Sequence, residues 1–248
     1  MSVIFVMWLR ELRRYKRSRA QIIASLGQPL LYLLALGFGL APVFKKAGQG
    51  NYVQFVAPGV VAMTVLFSSV FSGVGLLFDR QFGFLKETLV APVPRFQVMF
   101  GRTLGASTVA VIQGSLVLLV CFLAGFRVVS WARFPLAFVF MGMIACVFAA
   151  LGTAIGSALE NMQGFQLTMN FLVMPMFFLS GALYPINNQP KVFAAIVSLD
   201  PLAYGVDALR TILIDRSFYG LSLDVAVMAV VALVFLAIGT RLFSKIQV

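Results

Sequence analysis

Long stretches without a charged side chain divide this sequence into apolar segments joined by short polar ones. The charge-free stretches are 20–44, 47–78, 103–126, 134–159, 161–190 and 225–240. About 20 apolar residues in a helix cross the hydrocarbon core of a bilayer, which is about 30 Å thick. Trimmed at polar and turn-forming residues, the stretches predict an all-α polytopic membrane protein with six spans. The predicted spans are 21–42, 55–78, 103–125, 135–157, 167–184 and 222–242.

The basic residues predict the orientation of these spans. With the N-terminus inside, the segments 1–20, 79–102, 158–166 and the C-terminus hold 12 Lys and Arg residues, against 7 on the opposite side. Lys and Arg are enriched in cytoplasmic segments. We therefore expect both termini to be cytoplasmic.

The N-terminal segment 1–19 differs from a signal peptide, because its basic run follows the apolar run. At helical spacing one face is apolar, and most arginines lie opposite. This pattern predicts an interfacial amphipathic helix with its cations near phosphate headgroups. The alternative is an ordinary basic flank of the first span.

The segment 185–221 is too polar for a span and too apolar for a solvated loop. Pro185, Pro190 and Pro201 divide it. We expect two short helices that lie at, or enter, the outer leaflet. Asp207 and Arg210 are three residues apart, so they would share a helix face and could form an ion pair.

Composition supports the membrane assignment and excludes several kinds of chemistry. The chain has 248 residues, of which 61% are hydrophobic and 11% charged. It contains no histidine, which excludes Ser-His-Asp catalysis and His-ligated metals. The net charge of +11 is typical of cytoplasmic loops at a bilayer, and we expect no nucleic-acid partner.

Motifs for nucleotide and ion binding are missing from the sequence. It has no G-x-x-x-x-G-K-[ST] phosphate loop, so ATP binding of the P-loop kind is not expected in this chain. No cluster of metal-ligand residue types is visible, and no acidic residue lies near the middle of a span, which argues against proton- or sodium-coupled transport.

The segment 79–95, DRQFGFLKETLVAPVPR, combines charges with large apolar residues at helical spacing and ends in two prolines. A solvated loop does not need so many large apolar side chains. On composition alone, an amphipathic helix that docks on a partner protein and one that lies on the membrane are equally favoured.

This segment resembles the loop between the second and third spans of ABC-2 type permeases, the membrane subunits of ATP-binding-cassette exporters for drugs, nodulation factors, polysaccharides and lipids. A second stretch agrees: FLSG at 178–181, Tyr184-Pro185, and DPLAYGVDALR at 200–210 are similar to the family's fifth span and the outer segment after it. The start of the second span, FVAPG at 55–59, also fits. The resemblance covers nearly the whole chain, and it indicates the family without indicating the substrate.

The resemblance implies a single permease domain over residues 1–248, with an interface helix at 1–19, a coupling helix at 79–95 and an outer re-entrant segment at 185–221. It implies a dimer, with a second copy or a close homologue, in a bacterial or archaeal inner membrane. Each permease docks one P-loop ATPase subunit, giving two copies. ATP and Mg would bind those subunits, so this chain would not be an enzyme by itself and would hold no cofactor.

The resemblance also assigns roles to residues. The ATPase-docking residues would be Asp79, Arg80, Gly83, Phe84, Leu85, Glu87, Leu89 and Arg95. The substrate path, between the two copies, would be lined by Ser68, Ser69, Ser72, Asn170, Phe177 and Ser180. The structural outer motif would be Pro185, Pro190, Pro201, Tyr204, Asp207 and Arg210. The alternative for each polar path residue is a hydrogen bond to a neighbouring helix.

The apolar character of the path predicts an amphipathic or lipid-like cargo: a drug, a lipid or a lipid-linked glycan. Two other functions stay open at this point: a multispan membrane enzyme acting on lipids, and a self-sufficient channel or carrier. Gly101-x-x-x-Gly105 and Gly152-x-x-x-Gly156 match a close-packing motif of membrane helices, and we interpret both as packing within the chain.

Overall fold

The structure is a computed structural model that describes residues 2–39, 41–42, 51–84, 93–185 and 190–244. Within these residues it is helical and has no strand. The helices are α1 (Val3–Arg17), α2 (Arg19–Gly39), α3 (Tyr52–Phe71), α4 (Val74–Gln81), α5 (Arg95–Leu123), α6 (Phe134–Ala158), α7 (Met162–Leu179), α8 (Lys191–Ser198), α9 (Pro201–Ile214) and α10 (Leu221–Ser244).

Short polar side chains begin several of these helices. Ser2, Asn51, Asn161 and Asp200 each accept a hydrogen bond from a backbone amide in the first turn that follows. Such caps satisfy amides that have no partner within the helix. The polar residues that border the apolar runs therefore set where α1, α3, α7 and α9 start.

Four of the predicted spans are present as helices long and apolar enough to cross a membrane. They are Tyr52–Gln81, which joins α3 and α4, then Arg95–Leu123, Phe134–Ala158 and Leu221–Ser244. These correspond to the second, third, fourth and sixth predicted spans. The multi-pass, all-helical character of the described chain is confirmed.

The first and fifth predicted spans are helices of a different kind. The apolar part of α2 is the shorter stretch Leu26–Gly39. Helix α7 has 18 residues, three of which are the amides Gln163, Gln166 and Asn170. The count of six spans therefore stays a prediction.

The two short helices expected in segment 185–221 are present as α8 and α9. They meet at an angle of 86° and together are long and apolar enough for a broken span or a re-entrant loop. Most residues of α9 are buried, which the sequence did not indicate. The re-entrant path itself stays a prediction.

The core of the bundle surrounds α3, which is buried over most of its length, while α10 exposes most of its apolar surface. Val56, Val60 and Val61 of α3 pack with Phe148 of α6 and Leu209 of α9 in one apolar cluster. The exposed apolar surface of α10 is what a helix facing lipid requires.

Both glycine motifs pack within the chain, as expected. A Cβ atom at Gly101 would lie 2.8 Å from the Ile4 carbonyl oxygen, and one at Gly105 would lie 2.7 Å from the Glu11 Cβ atom. A Cβ atom at Gly152 would lie 2.2 Å from the Val70 carbonyl oxygen. The absence of side chains at these glycines lets α1 approach α5, and α3 approach α6, at backbone distance.

Candidate functional site

The segment 79–95 leaves the bundle at the end of α4 and returns to it at the start of α5. The structure describes its two ends, residues 79–84 and 93–95. Leu85, Glu87 and Leu89 lie outside the described residues. The site is therefore built from the two ends and from what they contact.

Asp79, at the entry end, is the centre of a buried cluster of charges. It is 5% exposed, and its Oδ1 atom accepts a hydrogen bond from Arg10 Nη2 of α1 at 2.6 Å. Its Oδ2 atom accepts one from Arg102 Nη1 of α5. Glu11 Oε1 lies 3.8 Å from Arg102 Nη2. We call these four residues the charged junction; it holds two acids and two bases and joins α1, α4 and α5.

Arg80 and Arg95 tie the two ends of the segment to other parts of the bundle. Arg80 donates to Glu160 Oε1 at 2.8 Å and to the Leu159 carbonyl oxygen at 3.4 Å, between α6 and α7. Arg95 donates to the carbonyl oxygen of Ser244, at the end of α10. Movement of segment 79–95 would therefore act on helices at both of its ends.

The chain turns away from the bundle immediately after α4. Gly83 has a φ angle of +79°, which favours glycine, and a Cβ atom there would meet nothing within 4 Å. Phe82 and Phe84 on either side are 68% and 53% exposed. Large exposed apolar side chains next to a sharp turn suit contact with another protein.

Helix α1 packs along the first part of α5. Met7 and Tyr15 are buried, and Trp8 Nε1 donates to Thr108 Oγ1 at 3.0 Å. Part of the apolar face that was expected to lie in lipid is thus covered by α5. The interfacial position of segment 1–19 stays a prediction.

The sequence pattern did not indicate four members of this site: Arg10, Glu11, Arg102 and Glu160. A signal was available, because Asp79 and Arg102 border two neighbouring charge-free stretches at the same end. Opposite charges at matching ends of adjacent helices can pair. The contribution of α1, whose Arg10 is 69 residues from Asp79, could not be read from spacing.

The opposite end of the bundle contains the proline-rich motif. Pro201 follows the cap residue Asp200 and starts α9, and the Tyr204 hydroxyl donates to the Ser198 carbonyl oxygen at 2.8 Å. Pro190 is exposed and precedes α8, and Pro185 is half-buried.

Asp207 and Arg210 are both buried, but the expected ion pair between them does not form. Asp207 accepts hydrogen bonds from the backbone amides of Phe218 and Tyr219 at 2.8–3.0 Å. Arg210 donates to the carbonyl oxygens of Gly181 and Ala182 at 2.8 and 3.0 Å. Its guanidinium also lies 3.9 Å from the centre of the Phe55 ring. These backbone groups bind the two side chains in place of the ion pair, because they lie within hydrogen-bond distance and need a partner themselves. We call Asp200, Asp207 and Arg210 the polar cap.

Comparison with known proteins identifies the family. The model of the family described as "ABC-2 type transporter" matches residues 2–214. The chain belongs to the ABC-2 type transporter family. Its relatives include Nodulation protein J of Sinorhizobium fredii, 27% identical over 94% of this chain and 90% of that protein. A protein of Cyanophora paradoxa named as a candidate transport permease, ycf38, is 28% identical over 98% of this chain and 88% of that protein.

The ABC-2 permease places most of its expected path residues inside the bundle. Ser69, Ser72 and Ser180 each donate to a backbone carbonyl oxygen of their own helix at 2.6–3.0 Å. Phe177 is fully buried and contacts the rings of Tyr32 and Phe67. Ser68 is half-buried.

Asn170 differs from these residues because it is exposed on α7. Gln163 and Gln166 are exposed on the same face, at spacings of three and four residues, beside the exposed side chains of Leu167 and Phe171. This amphipathic surface, which we call the α7 face, carries polar amides on a helix of a membrane protein. Amides in contact with lipid are costly, so such a face requires water or protein against it.

Proposed function

We propose that this ABC-2 permease is the membrane subunit of an ATP-driven exporter that moves an amphipathic or lipid-like cargo out of the cytoplasm or the inner leaflet. Two copies, or one copy and a close homologue, would form the path between them. Two P-loop ATPase subunits would bind ATP and Mg on the cytoplasmic side. Both termini would be cytoplasmic, in a bacterial or archaeal cell membrane with six spans.

The α7 face is the observation that carries this proposal. In a single chain it exposes Gln166 and Asn170 beside Phe171, a combination that suits neither pure lipid nor pure water. Placed between two copies, the same face offers amide donors and acceptors together with an aromatic ring. A cargo with a polar head and an apolar body would find both. The similarity to proteins named Nodulation protein J is compatible with export of a nodulation factor or a polysaccharide.

The geometry of segment 79–95 supports coupling to an ATPase. Docking through Phe82, Phe84 and the residues after them would leave both ends of the segment tied to the bundle. Closure of the ATPase pair on ATP would then shift α1, α4 and α5 together through the charged junction, and α10 through Arg95. The permease state that fits the closed ATPase pair becomes more populated, because a ligand shifts an equilibrium by its difference in affinity for the two states.

Reconstitution with a partner P-loop ATPase, to be sought among the genes next to that of this chain, tests the proposal. ATP hydrolysis should be stimulated by members of a panel of lipids, glycolipids and hydrophobic drugs. Replacing Gln166 and Asn170 together by Leu should abolish the stimulation and leave basal hydrolysis, because leucine is favoured in a membrane helix but cannot hydrogen-bond the cargo. The matched control is the pair Val230→Ala and Leu233→Ala on the exposed surface of α10, which should keep full stimulation.

Two results would overturn the proposal in different ways. Full stimulation of the Gln166→Leu/Asn170→Leu variant would show that α7 does not line the cargo path. Robust ATP hydrolysis by the permease without any partner would show that the ATPase activity does not reside on a separate subunit.

A further inference from the structure

Helix α1 carries a groove on its exposed side that the proposed function does not use. A cavity of about 690 Å³ is lined by Phe5, Val6, Leu9, Arg10, Arg13, Arg14 and Arg17. We call this the arginine groove. Phe5 and Val6 are 42% and 49% exposed, so the groove presents apolar surface as well as four cations.

One of the four arginines of the groove forms an ion pair, and the other three do not form one with the described residues. Arg10 is bound to Asp79 in the charged junction. Arg13, Arg14 and Arg17 are exposed and form no ion pair with the described part of the chain. All three line the groove together with Phe5, Val6 and Leu9, and the Arg14 guanidinium lies against Gly75 of α4. The groove is therefore complementary to an anion attached to an apolar group.

Two contacts locate the groove beside the end of a candidate span. Arg10 reaches Asp79, and a Cβ atom at Gly75 would lie 2.5 Å from Arg14 Nη1. Both partners belong to the last turns of the 30-residue candidate span Tyr52–Gln81. At 1.5 Å per residue that span is about 45 Å long, the thickness of a bilayer with its headgroups included. Its last turns, and the groove beside them, therefore lie at headgroup level.

The geometry points to a binding site for one anionic phospholipid in the arginine groove. The lipid phosphate lies among Arg13, Arg14 and Arg17, and the first part of its apolar body lies against Phe5, Val6 and Leu9. An anionic headgroup such as phosphatidylglycerol is preferred to phosphatidylcholine, whose own ammonium group offsets its phosphate. Because Arg10 lies in both the groove and the charged junction, the lipid binds next to the contact that joins α1 to α4.

Native mass spectrometry of the purified permease tests this site. The protein is extracted from vesicles of phosphatidylcholine that contain a minor fraction of phosphatidylglycerol, and the retained lipids are counted. We expect one phosphatidylglycerol molecule for each chain. In the variant Arg13→Gln/Arg14→Gln/Arg17→Gln, the affinity for phosphatidylglycerol should fall roughly 100-fold. Each arginine near an anionic surface contributes a factor of about five to the binding constant.

A control with the same change in net charge separates the groove from general electrostatics. Lys16 and Arg241 are exposed and Arg80 is partly exposed, and all three lie outside the groove at the same end of the bundle. The variant Lys16→Gln/Arg80→Gln/Arg241→Gln should retain the lipid. Thermal unfolding of both variants checks that they are folded, and we expect little change because none of the replaced side chains is buried.

Three outcomes would overturn the site. Equal lipid loss in the two triple variants would show nonspecific attraction to the membrane. Equal retention of phosphatidylcholine and phosphatidylglycerol would remove the selectivity for an anionic headgroup. Displacement of the lipid by inorganic phosphate at equal concentration would show a site for free phosphate instead.

Discussion

The two ends of the bundle satisfy their buried charges in different ways. In the charged junction, Asp79 is shared by Arg10 and Arg102, so side chains of three helices neutralise one another. In the polar cap, Asp207 and Arg210 instead bind backbone groups of nearby loops. A carboxylate shared by two arginines can remain paired while the helices shift, because rotatable side chains separate it from each backbone. A charge that binds backbone amides fixes the shape of the loop. We therefore expect motion at the junction and rigidity at the cap.

The largest expected effect comes from removing the shared carboxylate. Asp79→Ala leaves the buried Arg102 with Glu11 at 3.8 Å as its nearest acid. Breaking a buried ion pair from one side typically costs about 3–5 kcal/mol in the free energy of unfolding. Denaturant or thermal unfolding of the purified permease measures the loss.

Arg133→Ala is the matched control for Asp79→Ala, because it also breaks an ion pair from one side. Arg133 pairs with Asp215 at 2.8 Å, but both side chains are more than half exposed. Loss of this exposed pair should change the free energy of unfolding little. Equal losses of unfolding free energy in the two variants would contradict the claim that burial makes the junction's ion pairs the more stabilising ones.

An intermediate effect is expected from removing the charges of the polar cap. Asp207→Ala and Arg210→Ala each leave backbone groups without a partner, which costs about 1–3 kcal/mol for each group. The double variant should lose the sum of the two single losses, because the two side chains bind different backbone groups. A double-mutant cycle of unfolding free energies should give a coupling energy near zero. A coupling energy of about 1 kcal/mol or more would mean that the two charges interact directly.

The smallest expected effect is at the exposed ion pair between Arg80 and Glu160, outside the charged junction. Glu160 pairs with Arg80, but its side chain is 79% exposed. Glu160→Gln should lower the unfolding free energy by at most about 1 kcal/mol. The difference from wild type should disappear at high salt, which screens exposed pairs. A loss as large as that of Asp79→Ala, or one insensitive to salt, would place Glu160 in the buried cluster instead.

The sequence predicts the four long spans well, because each is a continuous apolar run bounded by charges. It predicts α7 less well, since Gln163, Gln166 and Asn170 interrupt the apolar pattern on one face. Helix α9 belongs to the segment 185–221, which was expected to lie at, or enter, the outer leaflet. It is buried because both charges are satisfied by backbone groups from loops that the local sequence does not identify.

The site was predicted in part. Asp79, Arg80 and Arg95 were singled out by the family resemblance, and their contacts with α1, α5, α10 and the chain before α7 came from the structure. Packing at Gly101 and Gly105 within the chain was predicted, but not that the partner would be α1. Such contacts join residues about 100 positions apart, as Trp8 and Thr108 do, and local periodicity carries no information on them.

The docking of α1 on α5 has a consequence for biosynthesis. The ribosome makes Trp8 100 residues before its hydrogen-bond partner Thr108. At a translation rate of about 5–20 residues per second, roughly 5–20 s pass between the synthesis of α1 and that of its packing site at Gly101 and Gly105 on α5. During that interval the nascent chain displays an arginine-rich helix whose apolar side chains Met7 and Tyr15 are uncovered. We expect the helix to lie on the membrane surface beside the translocon during this interval. The arginines that later line its groove would hold it there by attraction to anionic headgroups.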